Sequence, residues 1–313
     1  MPAPIAIVDV GSNTIKLLVA APAPGTPGSI QTLSARTIDA RISAGISRGN
    51  PVLSEDGITR GLDAITALLA DAAPFAPAST VIVATSAVRD ALNGRDFCAR
   101  VQSATGHPMR ILTGEEEANA IGRGLTCDPA LRELHDFYVF DLGGGSLECL
   151  RFQKRRIQQA ISLPLGCVRL TERFVADSAA PIHVAALQQV RAHVRDSLAS
   201  SGFSFDLRAP AQAVFAGGSM TTVRAIFAAN AGCPLFDAPA RIDTSSIQTL
   251  LNRTAALPLP ARHLEVPGLP PSRADVFPVA LATIEAVADA GHLSAFHHTF
   301  HNLRYGIAAE AFG

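Results

Sequence analysis

Asp141 and Glu148 bracket the stretch of this 313-residue chain whose residue types and spacing could do chemistry. An apolar, β-prone run, Phe137 to Phe140, ends on Asp141; Leu142-Gly143-Gly144-Gly145-Ser146-Leu147 leads to Glu148, and a second apolar run follows from Cys149 to Phe152. This pattern predicts a β-hairpin whose glycine turn takes φ > 0 and presents its backbone N–H groups. Consecutive exposed amides form an anion-binding concavity that a phosphate can approach closely. Carboxylates at Asp141 and Glu148 could hold a metal ion beside that phosphate. Three glycines alone fit a ligand-free hairpin equally well.

The chain carries nearly the same phrase near its start. Asp9 answers Asp141, Gly11 answers Gly143, Thr14 answers Ser146 and Lys16 answers Glu148, with one constant offset and apolar strands on both sides. Two strand–turn–strand units so far apart suggest two related α/β domains facing each other across a cleft. Gly11, Ser12 and Asn13 then form the first phosphate turn. A third candidate anion site, weaker because strand-to-helix turns commonly need glycine, is Gly217-Gly218-Ser219 between a strand and a helix start.

The elements between the copies place further groups. Ser54 is a candidate N-cap for a helix with Ile58, Leu62, Ile65 and Leu69 at helical spacing. Val81 to Ala84 reads as a strand, putting Arg89 just past a strand end, where ligands gather in α/β proteins; alone, it is as readily a solvated arginine. After the strand Met109 to Leu112, Thr113 and Glu116 make a capping box, and Glu115 favours the helix dipole. Glu117 has no capping role and is free for chemistry.

The basic turn Arg151 to Ile157 reads as a solvated tip. Leu163 to Leu170 closes the second sheet and enters a helix near Thr171. Pro258 to Pro271 reads as a surface loop. His297 and His301, four apart, would share a helix face, but with no carboxylate or cysteine near them in sequence a metal pair is disfavoured against a polar or packing role; His298 has no assigned part.

Composition bounds the whole. A 48% hydrophobic, 17% charged chain of net charge −1 is globular, without a broad surface for nucleic acid or membrane. Any polyanion must meet a local site. Cys98, Cys127, Cys149, Cys167 and Cys233 show no metal or redox spacing. The start has no basic n-region, and no apolar run is long enough to span a bilayer, so a soluble, cytoplasmic protein is expected.

Taken in order, Asp9-Val-Gly-Ser-Asn-Thr14, Ala84-Thr-Ser-Ala-Val-Arg89, Thr113-Gly-Glu-Glu-Glu-Ala118, Asp141-Leu-Gly-Gly-Gly-Ser-Leu-Glu148, Leu165-Gly-Cys-Val-Arg169 and Ala216-Gly-Gly-Ser219 resemble the exopolyphosphatase/guanosine pentaphosphate phosphatase family of the actin-like ATPase superfamily. The resemblance runs from about Ile5 to the C-terminus. It implies two ribonuclease-H-like α/β domains around a central cleft, here 1–123 and 124–313, with the helix near 300–313 able to pack back on the first. It also implies hydrolysis of the terminal phosphoryl group of inorganic polyphosphate, or of the 5′-triphosphate of pppGpp, with Mg²⁺ or another divalent cation.

Carried over by motif, Glu117 is the base and Glu148 the other essential carboxylate. Asp9, Gly11, Ser12, Asn13, Arg89, Gly143, Gly144, Gly145, Ser146, Gly218 and Ser219 hold phosphate. Asp141 and Glu148 hold the metal, and Asp9 is a further candidate for it. Dimers are common in the family, which leaves a homodimer open. A non-catalytic phosphopolymer-binding regulator is the rival from another class. Leu147 stands where a small hydroxyl residue is usual, which removes one expected phosphate hydrogen bond. The resemblance is to the short two-domain form, without the extra helical domain of long members, so shorter chains or a nucleotide are expected as readily as long polymers.

Overall fold

The computed structural model describes residues 3–24 and 29–313; Met1, Pro2 and residues 25–28 of the expected Pro22–Gly28 turn lie outside the described residues. The chain divides into two compact units, Met1–Glu133 with His301–Gly313, and Leu134–Phe300.

The first unit contains β1 (Ile5–Val10), β2 (Thr14–Pro22), β3 (Ile30–Asp39), α1 (Glu55–Ala72), β4 (Ser79–Ala84), α2 (Ser86–Asp90), α3 (Gly94–Thr105), β5 (Met109–Ile111) and α4 (Gly114–Thr126). Its sheet runs β3-β2-β1-β4-β5. β1, β2 and β3 form an antiparallel meander, and β4 and β5 continue parallel to β1. The unbroken apolar run of β1 is what a central strand covered on both faces requires, and all six of its residues are buried. The Ser54 hydroxyl accepts from the Gly57 amide at 3.1 Å, so α1 starts where its cap predicts. Ile58 and Ile65 are buried in the core with Leu62 and Leu69 packed at its margin.

The second unit contains β6 (Phe137–Leu142), β7 (Leu147–Gln153), β8 (Arg156–Leu163), α5 (Cys167–Phe174), α6 (Val184–Ser200), β9 (Gln212–Ala216), α7 (Gly217–Ala231), β10 (Arg241–Asp243), α8 (Thr244–Ala256), α9 (Leu259–Glu265), α10 (Phe277–Ala290) and β11 (Ala295–His298). Its sheet runs β10-β11-β9-β6-β7-β8. Read from β8, this repeats the first unit: an antiparallel meander β6-β7-β8, then β9 and β11 parallel to β6, with β10 added antiparallel at the edge.

α11 (Leu303–Phe312) belongs to the first unit and lies on α4. The approach needs glycine: a Cβ on Gly306 would sit 1.7 Å from the Ala120 carbonyl, and one on Gly124 2.1 Å from that of Asn302. The unit boundary therefore falls at Glu133/Leu134 and not at 123/124. α4 continues to Thr126, and a 3-10 turn capped by Asp128 carries the chain on to the buried Leu131.

Three local expectations are corrected. α5 begins at Cys167, not near Thr171, because its first amides are taken up by the glycine turn described below. The Pro258–Pro271 stretch is not a plain surface loop; it contains α9, whose Arg262 is fully buried. His297 lies on strand β11, and His301 follows it in the link to α11, so they share no helix face.

Candidate functional site

The two glycine turns have the same internal geometry. In the first unit Asp9 pairs in register with Lys16, and the Gly11 amide closes the turn on the Thr14 carbonyl at 3.1 Å. In the second, Asp141 pairs with Glu148, and the Gly143 amide closes on the Ser146 carbonyl at 3.0 Å. The expected φ > 0 is not observed at Gly11 or at Gly143, Gly144 and Gly145. The crowding lies beside the turn: α5 is seated on it so tightly that a Cβ on Gly166 would lie 2.3 Å from Gly144 and Gly145 backbone atoms.

Both turns spend their acceptors inside their own unit and keep their donors. The Ser12 carbonyl accepts from the Ser43 amide and hydroxyl, and the Asn13 carbonyl from the amides of Ala40 and Arg41. The Gly143 carbonyl accepts from Cys167, the Gly144 carbonyl from Val168 and Arg169, and the Gly145 carbonyl from Arg169 Nε at 2.8 Å. Among the described residues, the amides of Ser12, Asn13, Gly144, Gly145 and Ser146 donate to no protein acceptor. Asn13 is 5% exposed, and its Nδ2 is a buried donor with no partner. Buried donors without partners are rare in folded proteins, and a row of them recognises an anion.

The carboxylates differ in setting. Asp141, Glu148 and Ser162 are register partners across β6, β7 and β8, and the Ser162 hydroxyl donates to Glu148 Oε1 at 2.7 Å. Two carboxylates placed opposite each other repel unless a cation or proton is shared. Gly217, at φ +89, brings α7 against this pair: a Cβ there would meet Asp141 Oδ1 at 2.3 Å. Asp9 is buried, and that burial raises its pKa above 3.8, with Lys16 and Arg304 opposing the shift. Leu147 is fully buried in the core and alternates along β7 with Glu148, so the two side chains lie on opposite faces of the strand.

Glu117 follows the Thr113–Glu116 capping box, both of whose reciprocal bonds form. It is 6% exposed, and Arg89 Nη1 donates to its Oε2 at 2.8 Å and to the Leu112 carbonyl at 2.9 Å. Arg89, expected on phosphate, uses Nη1 for the base candidate and so fixes the carboxylate's orientation.

At the third glycine site, Ser219 is buried with no hydrogen bond to its hydroxyl among the described residues, and the Arg273 guanidinium lies against Gly218, where a Cβ would come within 2.2 Å of Nη2. His298 is buried between Thr221 (3.1 Å) and Arg224 (3.4 Å). His301 does have a carboxylate neighbour, Asp128 at 3.5 Å, brought there by the fold. Burial lowers the pKa of His297, and Arg241 adds to the shift. Sequence reasoning assigned no role to Arg41, Ser43, Ser162, Arg169 or Arg273; only Arg169 carried a signal, through its place in the Leu165–Arg169 segment.

Among the described residues no group of three or more His, Cys, Asp and Glu could hold a metal, and no helix is long and apolar enough to cross a membrane.

Two α/β units with this repeated strand order define a protein of the actin-like ATPase fold. The chain belongs to the Ppx/GppA phosphatase family, whose sequence pattern matches residues 19–311. It is 29% identical over 309 residues to a Haemophilus influenzae protein whose name provisionally makes it an exopolyphosphatase, covering 97% of this chain and 90% of that one. An exopolyphosphatase from Cytophaga hutchinsonii has the same fold, with a TM-score of 0.88 at 22% identity over 98% of this chain and 97% of that one. The Aquifex aeolicus PPX-GPPA enzyme aligns with a TM-score of 0.78 at 21% identity, over 98% and 99%.

Proposed function

We propose that the chain hydrolyses the terminal phosphoanhydride of inorganic polyphosphate by attack of water on phosphorus. The observation that carries this is the pair of donor-only turns, above all the partnerless buried Nδ2 of Asn13. In the first unit the amides of Ser12 and Asn13 are phosphate donors, and in the second unit those of Gly144 to Ser146 are. Glu117, held in place by Arg89, takes the proton from the attacking water as its oxygen bonds to the terminal phosphorus and the anhydride oxygen leaves. Phosphoryl transfer is mainly positioning and electrostatics, so the fixed amides carry the larger share of the rate.

Mg²⁺ fits the residues present. Asp141 and Glu148 offer hard oxygens from neighbouring strands, and Mg²⁺ takes one or two carboxylates and completes its shell with water and phosphate. When bound it would neutralise charge on the non-bridging oxygens. The name of the Haemophilus influenzae relative supports polyphosphate as substrate.

The test is phosphate release from tripolyphosphate, long-chain polyphosphate, pppGpp and ATP, with and without Mg²⁺, by wild type and Glu117→Gln. Release from polyphosphate that falls about 10²–10⁴-fold in the variant, at unchanged substrate binding, is expected. Release confined to pppGpp would move the assignment to a pppGpp 5′-phosphohydrolase. Binding without release from any substrate would leave the regulatory module.

A further inference from the structure

We infer that Arg41 is a positioning residue for phosphate recognition by the first turn, acting by locking the Asn13 carboxamide with its NH₂ toward the ligand. The inference rests on the phosphate-holding role proposed above and says how the turn is made selective for an anion. Arg41 Nε lies 3.0 Å from Asn13 Oδ1. A guanidinium can only donate, so the carboxamide atom facing it must be the oxygen, and the remaining atom must be the NH₂ group. The amide orientation, ordinarily ambiguous, is here set by chemistry.

Arg41 also donates its backbone amide to the Asn13 carbonyl at 2.9 Å, so one residue occupies two of the turn's acceptors. It does so with φ at +41, in the left-handed region that non-glycine residues adopt infrequently. The segment is pinned there: Arg60 donates from Nε to the Ala40 carbonyl at 2.8 Å and from Nη2 to the Arg41 carbonyl at 3.1 Å. Ser43 takes the Ser12 carbonyl through both its amide and its hydroxyl. Without Arg41 the carboxamide could turn over and offer lone pairs to the phosphate. The second unit reaches the same end independently, with Arg169 Nε on the Gly145 carbonyl. In both turns an arginine covers an oxygen that would otherwise repel an anion.

The deciding variant is Asn13→Asp, which is nearly isosteric and turns the Arg41 contact into an ion pair. Its melting temperature should equal or exceed that of wild type, while tripolyphosphate binding, followed by titration calorimetry, weakens at least about tenfold because a carboxylate oxygen now faces the ligand. Binding within twofold of wild type would overturn the inference. Arg41→Met should weaken tripolyphosphate binding several-fold and Arg41→Lys, which can still donate, should recover part of it; unchanged binding in Arg41→Met would also overturn it. A wild-type protein that binds no tripolyphosphate defeats the underlying phosphate assignment instead.

Discussion

Gly166→Ala is a mutation outside the candidate chemistry that should cost both stability and rate. The added Cβ would stand 2.3 Å from the carbonyl carbon and oxygen of Gly144 and from the Gly145 carbon, against an ordinary contact of 3.4 Å or more. These are backbone atoms, so no rotamer change relieves the overlap, and turn and helix must part by roughly 1 Å. Three bonds that seat α5 on the turn, at 2.9 to 3.1 Å, would stretch with it: Cys167 to Gly143, and Val168 and Arg169 to Gly144. Overpacking of this kind costs about 1–3 kcal/mol, and weakening the three bonds adds about 1 kcal/mol more. For a protein of this size that is a fall in Tm of roughly 3–6 °C. A phosphate turn displaced by about 1 Å should lose on the order of 10²-fold in kcat/KM. Thermal melts and phosphate release on one preparation read both. A variant with wild-type Tm and wild-type turnover would show that α5 does not brace the turn.

Two further outcomes follow from burial. Asp9 has its pKa raised by burial, so from pH 3.8 up to the raised value the folded state holds more protons than the unfolded chain, and this group's contribution to stability falls as pH rises. Asp9→Asn should therefore be more stable than wild type at neutral pH, with the difference closing below about pH 3.5, while its activity drops; urea melts at both pH values check it, and a less stable variant at pH 7 would refute it. Arg262, fully buried, donates to the carbonyls of Thr254, Leu257, Ser178, Ala274 and Ala180. Arg262→Met should cost about 4 kcal/mol or more by stranding those acceptors, and a loss under about 1 kcal/mol in a urea melt would contradict this.

Local pattern was enough for much of this protein. Apolar runs ending in Asp9 and Asp141, each followed by a glycine turn, prescribe two hairpins, and their residue-for-residue match prescribes equal registers, because side chains alternate and a slip would expose the core face. The capping box at Thr113 and Glu116 singled out Glu117 by leaving it nothing else to do. Three things lay beyond local pattern. The pairing of Arg89 with Glu117 depends on β4 and β5 lying side by side, which brings α2 and α4 together. Arg41 and Arg169 matter only because residues distant in sequence return to cover the turns' oxygens. Of the crowded glycines only Gly217 also takes a left-handed φ; the crowding at Gly166, Gly217 and Gly306 is set by which element packs on which, and that is decided only when the whole chain has folded.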